Sequence, residues 1–378
     1  MKILVINDTT NWYHFGCTAT STALINNIKK LNHEVTAISI LETYKIQSAP
    51  KTKNGFLEHA TYTEFAIKNK QILNLVKHHE ALIINGEGTL HGINQAPISL
   101  LYLAYITKTV LKKHVEILNH SAYPQHDTTL GNSEECAIYK LVYETLDFIA
   151  IREAASFNVM QKLGINVEQS FDCLPLYVRD YYQTHNVKKH SNTILIAGSA
   201  TWLHLDIASN KKGDIGSFMH GLSEFSRYLK IMHSKGYKIK FLYGANEHPA
   251  KDDREFIEYM QTQFQIIWEI YQVTSVDDWL KTIQEATLLV SGRFHHTIAA
   301  ITLGTKFIPL NSNTPKMEGL MQTIQYKGTV LQYTDHDIYN KLLSMSHTKL
   351  LEDEITATQI NQTLNYLCNL AEKNFFML

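Results

Sequence analysis

The run Ser291-Gly292-Arg293-Phe294-His295-His296 puts a guanidinium and two imidazoles between the apolar stretch Thr287-Leu288-Leu289-Val290 and the segment Thr297-Ile298-Ala299-Ala300-Ile301. A buried strand is handing over to a helix, whose first N–H groups have no partner within the helix and can receive an anion. Arg293 can grip a carboxylate or phosphate through two parallel hydrogen bonds and stays charged at any working pH; a structural ion pair is the competing use. His295, with an ordinary pKa of about 6.5, can donate to a phosphate oxygen or act as a general acid. His296 is expected to point the other way on the helix, and for either imidazole a hydrogen-bonded buried position is the alternative. Phe294 is counted with Arg293 on the anion-binding side.

A second constellation, Asn85-Gly86-Glu87-Gly88-Thr89-Leu90-His91-Gly92, follows the apolar run Ala81-Leu82-Ile83-Ile84. Gly86 and Gly88 let backbone N–H groups approach a ligand, while Glu87 and His91 supply an acid and a base. The spacing is not the dinucleotide fingerprint, and a tight turn would also use these glycines. A third, His14-Phe15-Gly16-Cys17-Thr18-Ala19-Thr20-Ser21, opens a helix. There Gly16 and Thr18 serve ligand binding or ordinary capping equally well, and Cys17 has no activating base nearby in sequence. Arg152, after the strand ending at Ile151, and Lys316, after Asn311-Ser312-Asn313-Thr314-Pro315, are further cations that either join Arg293 around a multiply charged ligand or sit on the surface. His248-Pro249 follows a strand at the same edge of its sheet.

These residues need strands to deliver them. Short apolar runs alternate with longer segments of helical period, the rhythm of parallel sheets covered on both faces. Strands are expected at 2–6, 34–40, 81–85, 115–119 and 148–151, then at 193–197, 238–243, 265–270, 287–290 and 306–310. Helices are expected near 217–234, 252–264, 276–285 and 296–303, with a closing amphipathic helix over 352–373. The polar stretch 179–192 reads as a linker. The domain expectation is therefore 1–180, 193–348 and a closing segment 349–378: two Rossmann-like doubly wound domains, with the ligand in a cleft between them.

Size and charge restrict the partners. At 378 residues the chain suits two domains, and 35 basic against 36 acidic residues create no global field for nucleic acid. Recognition of an anion must be local. The N-terminus carries no secretory pattern and no stretch has the apolar length of a membrane span, while the four scattered cysteines fit neither a disulfide framework nor a zinc site; a cytoplasmic location is expected.

Taken together, the Asn85–Gly88 turn, the segment Arg152-Glu153 with Ser156 leading through Lys162-Leu163-Gly164-Ile165 to Phe171-Asp172, and the closing Arg293/His295 pair before Ala299, Ala300, Gly304 and Lys316 resemble the polysaccharide pyruvyl transferase family over most of the chain. The turn has Glu87 between its glycines where many members have a glycine run, and Asn119-His120-Ser121-Ala122 stands where a glycine-rich segment is usual. The resemblance implies a GT-B-like fold and transfer of a pyruvyl group from phosphoenolpyruvate to a sugar of a cell-surface glycan precursor, without metal or organic cofactor. It implies that Arg293, Arg152 and Lys316 hold the donor's anions, that His295 assists protonation or phosphate departure, and that Glu87 or Asp172 is the base. The acceptor would be a glycan or lipid-linked oligosaccharide, with room for peripheral association at the inner face of the membrane. The architecture also resembles glycosyltransferases using nucleotide-activated sugars, including CMP-linked acidic sugars, where His248 would contact the nucleotide phosphate. A non-catalytic glycan-binding protein is the third reading.

Overall fold

The computed structural model describes residues 1–182, 192–197, 215–243, 245 and 251–378, with the backbone alone for 215, 217, 218 and 251–255. Six strands form the first sheet: β1 (Lys2–Asp8), β2 (Glu34–Ser39), β3 (Ala81–Glu87), β4 (His114–His120), β5 (Phe148–Ile151) and β6 (Glu168–Gln169). Their order is β2-β1-β3-β4-β5-β6, and every pairing is parallel. Parallel neighbours require crossovers. These come from α1 (Phe15–Lys30), the short helices α2 (Ile40–Thr43), α3 (Lys53–Leu57), α4 (His59–Lys68) and α5 (Lys70–His78), then α6 (Gln95–Thr109), α7 (Glu134–Tyr143) and α8 (Ala154–Lys162), with α9 (Leu174–Tyr181) following β6. β3 is buried at all seven positions, as a central strand covered on both faces should be.

Five strands build the second sheet: β7 (Thr193–Ala197), β8 (Lys238–Tyr243), β9 (Glu269–Gln272), β10 (Leu288–Ser291) and β11 (Phe307–Pro309). They run parallel in the order β11-β10-β7-β8-β9. The associated helices are α10 (Ile215–Ser234), α11 (Lys251–Phe264), α12 (Val276–Glu285), α13 (Phe294–Leu303) and α14 (Lys316–Thr323), followed by α15 (Ile338–Leu351) and α16 (Ala357–Glu372). The chain divides into two compact units: Met1–Trp12, Cys17–Tyr177 and Cys368–Leu378 in one, Tyr13–Gly16 and Val178–Leu367 in the other.

The strand order reverses between β1 and β3 in the first sheet and between β7 and β10 in the second. Such switch points leave a crevice at the carboxyl ends of the strands, where ligands bind in open α/β sheets. Glu87 is the last residue of one of these four strands, and Arg293 follows the end of another.

Some expected boundaries move. The strand expected at 265–270 lies at Glu269–Gln272, because Gln265 takes a left-handed φ of 51° and Ile266 and Trp268 sink into the core from a loop. The expected linker begins inside α9, which continues to Tyr181, and most of it lies outside the described residues. Beyond residue 337 there are two helices where the pattern suggested one. Among the described residues no helix is long and apolar enough to cross a membrane.

One packing contact in the second unit leaves no slack. A Cβ on Gly221 of α10 would lie 1.4 Å from the carbonyl oxygen of Tyr333, a backbone atom that cannot rotate away. Gly221→Ala is expected to destabilise the protein by at least about 2 kcal/mol, measured as a lowered urea midpoint; an unchanged midpoint would show that the Tyr333 segment yields without cost.

Candidate active site

The carboxyl edge of the first sheet is held by an amide ladder. Asn7 at the end of β1, Glu87 at the end of β3 and Asn119 near the end of β4 adopt left-handed φ values of 62°, 39° and 53°, on three neighbouring strands. Asparagine tolerates this region because its short amide bonds locally; glutamate there has to be held by its surroundings. Asn7 Nδ2 donates to the Asn85 carbonyl at 2.7 Å and to Thr89 Oγ1 at 3.1 Å. Asn119 Nδ2 donates to Asn85 Oδ1 at 3.0 Å, and Asn85 Nδ2 donates to Ser21 Oγ and Glu87 Oε1 at 3.2 and 3.3 Å. The Glu87 carboxylate, 4% exposed, also accepts from the Thr9 hydroxyl. Asp8 accepts from Ser21 Oγ at 2.8 Å and from the Thr10 backbone N–H at 2.9 Å.

Arg152 and Asp172 correct the sequence expectation. Arg152 is not a surface cation: it is 2% exposed, its Nη1 donates to Asp172 Oδ2 at 2.8 Å and its Nε to Ser121 Oγ at 3.1 Å. Asp172, wholly buried, accepts in addition from Thr20 Oγ1 at 2.8 Å and the Leu174 N–H at 2.9 Å. A carboxylate so occupied balances a buried guanidinium and is badly placed to take a proton from a substrate. Burial, then the negative charge of Glu87, pushes the Cys17 thiol well above its usual pKa, which favours an inert thiol.

The remaining residues of the turn divide by burial. Asn85 is fully enclosed and belongs to the ladder rather than to a ligand loop. Gly86 lies over His120, whose Cβ would be 2.5 Å from an added Cβ. Gly88, Thr89 and His91 are half-buried; Gly88 faces Arg152 Nη2, and the His91 ring stacks on Tyr123 with centroids 6.5 Å apart. Thr18 Oγ1 donates to the Trp12 carbonyl at 3.2 Å. His120 bonds the Ala150 carbonyl at 2.9 Å and Tyr143 OH at 3.0 Å, and burial drives its pKa down to about 3, so it is neutral.

In the second unit, β10 delivers Arg293 as the N-cap of α13, with no side-chain cap on the helix. The Arg293 backbone is fixed by its N–H to Ser291 Oγ at 3.0 Å and by its carbonyl, which accepts from the Thr297 N–H and Oγ1. The helix begins two residues earlier than the pattern suggested, so exposure alternates: Arg293 and His295 are half-buried, Phe294 and His296 buried. Phe294 therefore packs inward, its ring edge-on to His295 at 5.6 Å. His296 points away into the core against Trp279 at 5.2 Å; burial, followed by the charges of Arg293 and the neighbouring histidines, lowers its pKa far below 6.5. Gly16, grouped with this unit, lets the His295 imidazole lie against the backbone, since a Cβ there would stand 2.3 Å from His295 Cβ and 2.8 Å from Nδ1. On the adjacent strand, β11 leads to α14, where Lys316 Nζ donates to Asn313 Oδ1 at 2.8 Å. His248 lies outside the described residues. Among those described, no group of three or more His, Cys, Asp and Glu side chains could hold a metal.

Sequence reasoning missed Asn7, Asp8 and Thr9, and noted Asn119 and Ser121 only as a departure from the family pattern. The polar run Asn7-Asp8-Thr9-Thr10 directly after an apolar strand was the available signal. Nothing local marks Asn374, which reaches back from the C-terminus to accept from the Asn119 N–H at 2.8 Å and donate to the Phe171 carbonyl at 2.9 Å.

Two outcomes follow from the buried charges. Asp172→Asn, which strands the Arg152 charge, is expected to cost about 3–5 kcal/mol in urea unfolding; a catalytic base of no structural role would leave the midpoint in place. For His120 the folded pKa of about 3 lies below the unfolded 6.5, so the unfolded chain binds more protons between these values and stability falls as pH drops through that window. The parent should lose on the order of a few kcal/mol more than His120→Leu between pH 7 and pH 4; parallel losses in the two proteins would remove His120 as the cause.

Comparison with known proteins bears on the family and the fold. The sequence model for polysaccharide pyruvyl transferase matches residues 14–314. A search among curated proteins finds no match. Among solved structures, UDP-GlcNAc 2-epimerase from Methanocaldococcus jannaschii is similar at 14% identity with a TM-score of 0.56, covering 98% of this chain and 100% of that one. The enzyme of the same name from Neisseria meningitidis, bound to UDP-GlcNAc, is similar at 11% identity with a TM-score of 0.55, covering 99% and 100%. At such identity the likeness is one of fold, two Rossmann-like parallel-sheet domains of the GT-B kind. The family match, spanning both the Asn85–Gly88 turn and the Arg293/His295 pair, is the more specific finding, and by it the chain belongs to the polysaccharide pyruvyl transferase family, whose members are transferases.

Proposed function

We propose that the protein transfers the pyruvyl group of phosphoenolpyruvate to two hydroxyls of a sugar in a cell-surface glycan precursor. The observation that carries this reading is the start of α13: Arg293 and His295 half-exposed at an uncapped helix N-terminus, beside a sheet switch point, with Phe294 and His296 turned inward. A small donor bearing a phosphate and a carboxylate suits a guanidinium fork supplemented by helix N–H groups, with Lys316 adding charge. In the proposed scheme one acceptor hydroxyl adds across the donor's double bond, its oxygen bonding to C2 and a proton going to C3. The second hydroxyl then displaces phosphate from C2, and its proton leaves with the phosphate or a base. His295 is proposed to move the proton on the donor side. Glu87 is the carboxylate proposed to receive the acceptor's proton, Asp172 being committed to Arg152.

Ligand stabilisation separates the donors, because only a ligand of the native state raises the unfolding temperature. Phosphoenolpyruvate should raise it, whereas CMP and UDP-GlcNAc should not; stabilisation by a nucleotide alone would shift the assignment to a nucleotide-sugar transferase. With sugar acceptors present, phosphate release should fall about 10²–10³-fold in Arg293→Ala at unchanged thermal stability. Gly16→Ala, which displaces the His295 ring, should lose about 10²-fold. Full activity in Arg293→Ala would overturn the reading.

A further inference from the structure

Between the edge strand β2 and the helices after it, the first unit has a cavity of about 460 Å³, within the range of small-ligand sites. Its floor is Ile38, Ile46, Ile72 and Leu75, and Lys45, Lys68 and Lys70 stand around it with Glu42 as the one acidic lining residue. Ile38 is in register with Ile6 of β1, so the cavity lies beside the carboxyl half of β2.

Exposed apolar side chains stand near the lining residues in sequence. Leu41 and Tyr44 flank Glu42, and Ile67 precedes Lys68; these three and Leu57 are 56%, 44%, 74% and 58% exposed. Residues 40–78 hold six lysines and three glutamates, a net charge of +3, in a chain of net charge −1. The remainder is therefore −4, and basic charge is gathered where the aliphatic side chains protrude. Two of the lysines are in exposed ion pairs, Lys45 with Glu42 at 2.5 Å and Lys68 with Glu64 at 2.7 Å, weak enough for another anion to compete with the carboxylate.

Protruding apolar side chains among lysines, around a cavity whose lining joins four aliphatic residues to polar and charged ones, match the two layers of a bilayer surface: anionic headgroups outside and hydrocarbon beneath. We infer that residues 40–78 dock the protein onto an anionic phospholipid membrane, with a lipid chain entering the cavity floored by Ile38 and Leu75 and phosphates meeting Lys45, Lys68 and Lys70. The docking does not depend on which donor the second unit takes. That the membrane also presents the acceptor rests on the transfer proposed above.

The test uses the full chain and sedimentation with vesicles of phosphatidylcholine, alone or with about one third phosphatidylglycerol. The parent should sediment with the anionic vesicles, and high salt should release it, as screening shortens the reach of the lysines. Leu41→Ser with Ile67→Ser, and separately Lys45→Glu with Lys70→Glu, should each weaken partition about tenfold or more, while phosphate release with phosphoenolpyruvate and a water-soluble acceptor stays at the parent's level. Absence of anionic-vesicle binding by the parent, or unchanged binding by both variants, overturns the docking. So does a parent dimer in ultracentrifugation that these substitutions dissolve, since the occupant would then be a second copy. Failure of phosphate release in the parent, with vesicle binding intact, would count against the transfer reading alone.

Discussion

A guanidinium that is 2% exposed cannot stand in a protein interior without a carboxylate beside it, and the Arg152–Asp172 pair is the constraint around which the first unit's carboxyl edge is arranged. Asp172 reaches α1 through Thr20, and Thr20 is also within hydrogen-bonding reach of the Asn119 amide. Asn119 joins Asn85, and Asn85 joins Asn7, so that one ion pair is continuous with hydrogen bonds crossing three strands. The left-handed backbone at Asn7, Glu87 and Asn119 is then imposed by mutual bonding rather than by any single side chain. A polar network of this kind stabilises only when its members are satisfied, which is why removing one carboxylate has consequences beyond one contact.

The second unit solves the opposite problem. Its cationic groups stand at the mouth of a helix, and the fold has to keep them partly in solvent while fixing their direction. Burial of Phe294 and His296 anchors the first turn of α13 from within, and the backbone of Arg293 is pinned on both sides by Ser291 and Thr297. His295 is placed by a missing side chain: Gly16 leaves space that any Cβ would fill. His296 contributes by being neutral, since a second imidazolium beside Arg293 would raise the cost of burying the turn.

The two-domain α/β architecture was legible because buried parallel strands read as short apolar runs, and β1, β3 and β10 are of that kind. The position of Arg293 and His295 at a strand-to-helix handover was legible because an apolar run stops there and a second one of helical period starts. Burial was not. Arg152 and Arg293 both follow a strand in sequence, yet one is sealed by Asp172, twenty residues on, and the other is half-exposed. That difference rests on long-range pairing, as does the part played by Asn374 from 255 residues beyond Asn119. The strand near 265 was misplaced for a local reason, a left-handed glutamine that apolar periodicity does not register.

Near-neutral overall charge gives the arrangement its final requirement. With 35 basic and 36 acidic residues the chain exerts little attraction beyond the screening length of about 8 Å at physiological salt. An anionic ligand must then be recognised by groups within direct reach, and a helix N-terminus can concentrate several: oriented N–H donors, here with an arginine at the N-cap and a histidine in the first turn. Such a cluster selects by geometry more than by charge, since N–H groups and a fork match oxygen atoms at set spacings. The same local economy applies to the basic segment 40–78, where a net charge of +3 is spread over a surface and aliphatic side chains share the contact. A point-like cluster suits a small ligand and a dispersed one suits an extended surface, which is the physical ground on which the two proposals differ.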